Sequence, residues 1–225
     1  DLSLYEKQIF DSYNDFFTRK IRVEERPVNP DANALISPSD GKVSVYKIHE
    51  NGHFLIKNTE YTLEQLLQDK KLAKRYLNGY IYVIRLTVDD YHRYCYAADG
   101  RKSGQRKIAG ILHTVNPVAN DVCPIYKMNS REYCLIKTEQ FGTLLQMEVG
   151  ALMVGKISNN QQGLGFVHKG VEKGRFEFGG STIILLTQKN VVIPDQDLLE
   201  HTGSGMETLV KMGEQIGRSA NRLDA

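Results

Sequence analysis

The sequence predicts an α+β chain that is mainly β, with a barrel-like or sandwich β core and helices at its N-terminal end and periphery. Three observations carry this. From residue 80 onward, short β-branched or aromatic runs recur, parted by Gly, Asn or Asp. These runs do not alternate with long helical patterns, which argues against repeated βα units. Helical periodicity is confined to residues 2–21, residues 62–78 and the stretch from Gly205 to Arg218.

Taken in order, residues 2–21 place Leu2, Tyr5, Ile9, Phe10, Tyr13, Phe16 and Phe17 near one helical face, with Lys7, Asp11, Asp15 and Arg19 mostly on the other. Two readings stand, a helix packed on the core and a membrane-surface helix with interfacial aromatics. Residues 1–25 are therefore expected to form an amphipathic helical segment, and 26–225 one β-rich domain. "RPVNPDANALISPSDG" is a Pro-, Asn- and Asp-rich loop that leads into the strand "KVSVYKI". Residues 62–78 predict a helix with Thr62 as N-cap and Gly79 as stop.

"YIYVIRLTV", "YCLIKTE", "TLLQMEVGALMVGKI", "GRFEFG", "TIILLT" and "NVVI" are the expected strands. "GMETLVKMGEQIGR" predicts a last helix with Met206, Leu209, Val210 and Ile216 turned inward.

Composition narrows the classes. A hydrophobic share of 41% with 25% charged residues is that of an ordinary globular chain. A formal net charge of +2 is too small to point to nucleic acid. Cys95, Cys123 and Cys134 are odd in number and form no CxxC pair, which argues against a disulfide framework or a thiolate zinc site. No run approaches the roughly 20 apolar residues of a membrane helix. The chain starts at Asp1 without an initiator Met, so a segment upstream is expected.

The chemistry centres on "RFEFGGSTIILL". Two glycines before Ser181 break a strand-like run, marking a bend or a close backbone approach. The bend is either an ordinary turn or a place where the serine reacts. Attack of Ser181 on the carbonyl of Gly180 is an N→O acyl shift, and it needs a base and a stabilised oxyanion. Asp40, His92 and His113 offer the remaining parts of a Ser/His/Asp arrangement. Each also has a structural reading: Asp40-Gly41 is a turn dipeptide, and the histidines lie at strand ends.

"SPSDGKV", "DDYHRY", "TVNPVA", "FGGSTIILL" and "GMETLVKMGEQIG" occur in this order. Together they resemble the phosphatidylserine decarboxylases, pyruvoyl-dependent enzymes made as proenzymes. The resemblance runs from "YNDFFTRKIR" to "MGEQIG". It implies that Ser181 attacks the Gly180 carbonyl, that a histidine accepts its proton, and that Asp40 orients that histidine. β-Elimination would then release a β chain ending at Gly180, and the α chain from 181 to 225 would carry a pyruvoyl group made from Ser181. That cofactor would form a Schiff base with phosphatidylserine, release CO₂ and give phosphatidylethanolamine.

One departure stands out. The resemblance implies that many relatives carry a second histidine, the one of the cleavage triad, three residues after the one at position 92, where this chain has Cys95. A thiol with pKa about 8.5 is no simple replacement for imidazole. His113 is the favoured substitute as cleavage base, with His92 next; the resemblance otherwise links His92 to decarboxylation. His168 reads as a solvent-facing loop residue, and His49, His53 and His201 have no motif behind them. No metal is expected.

The partners implied are phosphatidylserine, a membrane surface, the β and α chains on one another, and a second copy in a homodimer; nucleic acid is not among them. The location implied is peripheral, on the cytoplasmic face of the membrane. Two other classes stay open: a pyruvoyl decarboxylase of a soluble amino acid, and a relative left unprocessed because Cys95 breaks the triad.

Overall fold

The computed structural model describes residues 1–7, 9–56, 59–110, 125–150, 156–177 and 181–220. The strands are, in order, β1 (Ala34–Ile36), β2 (Gly41–Lys47), β3 (His53–Ile56), β4 (Thr59–Thr62), β5 (Tyr80–Leu86), β6 (Arg93–Cys95), β7 (Gly100–Lys102), β8 (Arg106–Ile108) and β9 (Arg131–Lys137). They continue with β10 (Thr143–Gly150), β11 (Lys156–Asn159), β12 (Gly165–Val167), β13 (Glu172–Glu177), β14 (Ser181–Thr187), β15 (Val192–Pro194), β16 (Thr208–Val210) and β17 (Gln215–Ser219). A mainly β chain is what the sequence predicts.

The largest sheet runs β12-β7-β9-β10-β14-β5-β2-β16, with β8 added on β9. Its end strands β12 and β16 do not meet, so the sheet is open and does not close into a barrel. Three smaller sheets accompany it: β11-β13-β6, β1-β17-β15 and the hairpin β3-β4.

Side chains of a strand alternate between faces, and here both faces are buried. Ile81, Val83, Ile184, Leu186, Leu145 and Met147 enter a core with the β3-β4 hairpin and the helix Leu63–Leu67. Tyr82, Ile84, Leu86, Ile183, Leu185 and Val43 enter the other, with Tyr94 of β6, Phe176 of β13 and Ile216 of β17. The central strands are largely apolar because water reaches neither side, with Arg85, Gln146 and Glu148 as buried exceptions. Apolar residues on both faces hide the alternation that sorts the two cores.

The N-terminal segment is not one helix. A 3-10 turn covers Leu2–Leu4, and the only α-helical stretch described there is Tyr13–Phe17, capped by Ser12. Of its aromatics Phe17 is buried and Tyr13 exposed. The loop expected before β2 contains β1, which pairs with β17.

The helix expected over 62–78 starts as predicted, with Thr62 Oγ1 accepting from Gln65 N at 3.2 Å. It then breaks at Gln68, whose φ is +47°, and restarts as Lys70–Ala73 with Asp69 as cap. Asp69 Oδ1 accepts from Leu72 N, so a side-chain bond replaces the helix ladder at the break.

The last predicted helix is instead two strands. β16 pairs with β2 and β17 lies between β1 and β15. Val210 and Ile216 are buried as expected, but Met206 and Leu209 are exposed. Gly213, at φ +93°, turns the chain between them where a Cβ would stand 2.6 Å from the carbonyl oxygen of Pro27. A helix the periodicity did not reveal precedes them at Gln196–Gly203, with Leu198 buried.

Candidate active site

Ser181 is the first residue of β14. β13 ends at Glu177 in one sheet and β14 begins in another, so the chain changes sheets between them. Ser181 pairs with Leu86 of β5 on one side and Gly150 of β10 on the other. It shares a face with Ile183 and Leu185, toward the core that holds Tyr94 and Phe176. Its side chain is fully buried, and among the described residues Oγ has no hydrogen-bond partner. A hydroxyl left so costs about 1–3 kcal/mol relative to a satisfied one.

His92 approaches from β5. It stands six positions after Leu86, the partner of Ser181, and its carbonyl accepts from Phe176 N at 2.9 Å. It therefore lies beside β13, the strand that precedes the sheet crossing. Nδ1 lies 2.9 Å from the carbonyl oxygen of Asp90. A carbonyl only accepts, so Nδ1 carries the proton and Nε2 presents its lone pair. Nε2 is buried and has no hydrogen-bond partner among the described residues. Burial lowers the imidazole pKa to about 4, so the ring is neutral at physiological pH.

Asp40 does not bond His92. Arg26 grips its carboxylate with two bonds, Nε to Oδ1 at 2.8 Å and an Nη to Oδ2 at 2.5 Å. The N–H of Met212 adds a third at 2.9 Å. Both side chains of the pair are nearly buried. Desolvation opposes the charge on Arg26, but Asp40 outweighs it and the guanidinium pKa is raised. Asp40 is still close enough for its charge to favour protonated His92. Gly41 holds this corner: its φ is +146°, and a Cβ would meet the Arg85 carbonyl oxygen at 2.7 Å.

Cys95 lies in β6, fully buried, and burial pushes its thiol up to about 12. It stays protonated and is no base at neutral pH. His113 lies outside the described residues, as do Gly180 and Cys123. His168 is exposed and bonds Asp99, in keeping with a loop role. His201 bonds Thr208 and His53 bonds Glu60.

Sequence reasoning missed the hold of Arg26 on Asp40, since Arg26 opens a segment read as loop. It missed the charges of Glu148 and Lys173, although a lone Glu inside "TLLQMEVGALMVG" is a visible anomaly for a buried strand.

A buried serine with no partner among the described residues, where the chain changes sheets, and a buried neutral imidazole bonded to the preceding strand β13 fit an enzyme of the serine-centred, self-acting kind. The phosphatidylserine decarboxylase family model matches residues 13–218. Phosphatidylserine decarboxylase proenzyme 2 of Clostridium acetobutylicum is 48% identical over 219 residues, covering 97% of this chain and 75% of the relative. The proenzyme of Fusobacterium nucleatum is 40% identical, with 98% and 75% covered, and that of Clostridium botulinum is 43% identical, with 96% and 75% covered. The chain belongs to the phosphatidylserine decarboxylase family, and it is a decarboxylase.

Proposed function

We propose that this chain is made as a proenzyme, cleaves itself between Gly180 and Ser181, and as the mature enzyme converts phosphatidylserine to phosphatidylethanolamine and CO₂. The observation that carries this reading is the orphaned Ser181 hydroxyl, buried where the chain changes sheets.

In the first step Ser181 Oγ attacks the preceding carbonyl and His92 Nε2 takes the proton. Tautomer and burial support His92, since Asp90 holds the proton on the far nitrogen. The negative charge of Asp40 then stabilises the imidazolium across space, while Arg26 and Met212 N–H fix the carboxylate. The protonated Cys95 thiol takes no part as a base.

A pyruvoyl group at position 181 fits the site, because making it removes the hydroxyl that has no partner. β14 would carry it between β10 and β5, with Leu86 and Gly150 as its neighbours across the ladders. When formed, such a group supplies the electrophilic carbonyl and electron sink for decarboxylating an amine substrate. This chain's share is to exclude water around residue 181 and keep His92 neutral beside it.

The substrate places the enzyme at a membrane surface, peripherally and on its cytoplasmic face. No helix among the described residues is long and apolar enough to cross a bilayer. Ile9, Tyr13 and Val23 are exposed apolar groups near Lys20 and Arg22 in sequence, which supports docking by this segment.

Denaturing mass spectrometry of wild type, Ser181→Ala, His92→Ala and His113→Ala tests the reading. Two wild-type fragments meeting at 180/181, the second blocked by pyruvoyl, with Ser181→Ala and His92→Ala intact, is the expected result. An intact wild-type chain would mark an unprocessed relative. Normal cleavage in His92→Ala with arrest in His113→Ala would move the base to His113.

A further inference from the structure

Two protons must leave Ser181 during the conversion proposed above, one from Oγ and one from Cα. His92 accounts for the first on the β5 side. The β10 side holds a second unpartnered acceptor. Glu148 is fully buried, and its Oε1 has no hydrogen-bond partner among the described residues.

The register puts Glu148 close to the serine. It pairs with Ile183, and Gly150 pairs with Ser181, so Glu148 and Ser181 are diagonal neighbours on one face. Such neighbours stand roughly 7–8 Å apart, within reach of a long side chain. Gly150, the residue directly opposite Ser181, carries no side chain on that shared face.

Charged and polar groups from the surrounding elements hold the other oxygen. Lys173 of β13 donates to Oε2 at 2.6 Å and to Asn159 of β11 at 2.7 Å. Asn159 bonds Oε2 and also Glu132 of β9. Gln105, between β7 and β8, adds a weaker bond, and the Tyr94 ring of β6 lies 5.7 Å from the ammonium. Lys173 and Glu148 are 1% and 0% exposed. A buried ion pair of this kind is seldom required for stability alone.

We infer that Glu148 removes the α-proton of Ser181 in the elimination that follows ester formation, with Lys173 as the residue that positions it. The inference rests on self-cleavage at Ser181. In the first step the Oγ–carbonyl bond forms, the Gly180–Ser181 amide bond breaks, and the proton taken from Oγ passes to the freed amine. In the second, Glu148 takes the Cα proton and its electron pair forms the Cα–Cβ double bond. The Cβ–Oγ bond breaks and Gly180 leaves as a carboxylate. The resulting enamine isomerises to an imine, and water hydrolyses it with loss of ammonia. Burial raises the pKa of Glu148, which makes its carboxylate a stronger base than an exposed one.

The test is to stop the reaction between the steps. Glu148→Gln is expected to form the ester and stall, lowering pyruvoyl formation at least 10-fold. Hydroxylamine should then split it at 180/181 and free a fragment beginning with unmodified serine. His92→Ala should remain a single chain under hydroxylamine. The double variant Glu148→Leu with Lys173→Met, checked for an unchanged melting temperature, should stall at the same ester. A merely structural pair would let this double variant mature normally. Pyruvoyl formation at the wild-type rate in Glu148→Gln, or an arrested chain that resists hydroxylamine, overturns the assignment. Cleavage persisting in Ser181→Ala would instead remove the reading beneath it.

Discussion

Phe17 stacks on His92, with ring centroids 4.1 Å apart and planes 36° from parallel. The first 25 residues are thus not simply a surface attachment. One aromatic of the segment closes over the imidazole while Ile9 and Tyr13 face outward. The core-packing reading of the segment has Phe17 behind it, and the exposed Ile9 and Tyr13 are the groups on which the proposed surface contact would rest. The two roles belong to different residues of one short helix and its approach.

Removing that ring should free His92 from part of its desolvation. Phe17→Ala is expected to raise the His92 pKa from about 4 toward 6.5, read by NMR titration in a Ser181→Ala background. An unmoved titration would show that water is excluded by other groups.

His92 should also make the protein acid-sensitive. Its pKa is lower folded than unfolded, so the stability associated with the neutral ring is complete above about pH 6.5. It is lost as pH falls toward 4, to a total of about 3 kcal/mol. Urea midpoints of Ser181→Ala measured from pH 7.5 to 4.5 should fall more steeply than those of the same protein with His92→Phe. Parallel curves would contradict the buried, neutral imidazole.

The Arg26–Asp40 pair predicts a non-additive cycle. Arg26→Gln strands a nearly buried carboxylate and should destabilise by about 3 kcal/mol. Adding Asp40→Asn should recover a large part of that loss. Chemical denaturation of the four proteins checks it, and simple additivity would mean that the two side chains are not coupled.

Gly41→Ala should cost about 1–3 kcal/mol, because φ is +146° and the new methyl meets the Arg85 carbonyl. Self-cleavage should slow along with stability, since Asp40 is the neighbouring residue. A variant as stable as wild type would show that β2 can move away from β5.

For membrane contact, deleting residues 1–20 is a poor test because it also strips Phe17 from His92. Ile9→Ser, Tyr13→Ser and Val23→Ser together leave that stack in place. Binding to vesicles containing anionic lipid should drop several-fold in flotation assays while Ser181 still matures. Unchanged flotation would locate docking elsewhere.

The strands were legible wherever an apolar β-branched run ended at Gly, Asn or Asp, as in β5 and β14. The C-terminal pair β16 and β17 was not, because Met206, Leu209, Val210 and Ile216 also satisfy a helical period. Only their pairing with β2, β1 and β15 decides between the two, and pairing is not written locally. At the site, Ser181 announced itself through its glycines, and "DYHRYC" drew attention to His92 and Cys95. The hold of Arg26 on Asp40 was invisible, since 14 residues and a change of element separate them. So was the pairing of Lys173 in β13 with Glu148, 25 positions away in the chain.

β14 lies between β10 and β5 near the middle of the large sheet, while β16 edges β2 and β17 is held by β1 and β15. A cut before Ser181 therefore leaves a fragment woven through the other rather than resting on it. Folding of the uncut chain is a first-order event, in which these strands reach their slots by loop closure. Once the bond is gone, unfolding yields two molecules, and refolding must depend on their concentrations. The mature protein's tolerance of heat or urea is then a matter of dilution and history, and its shape is a record of the longer chain that first drew it.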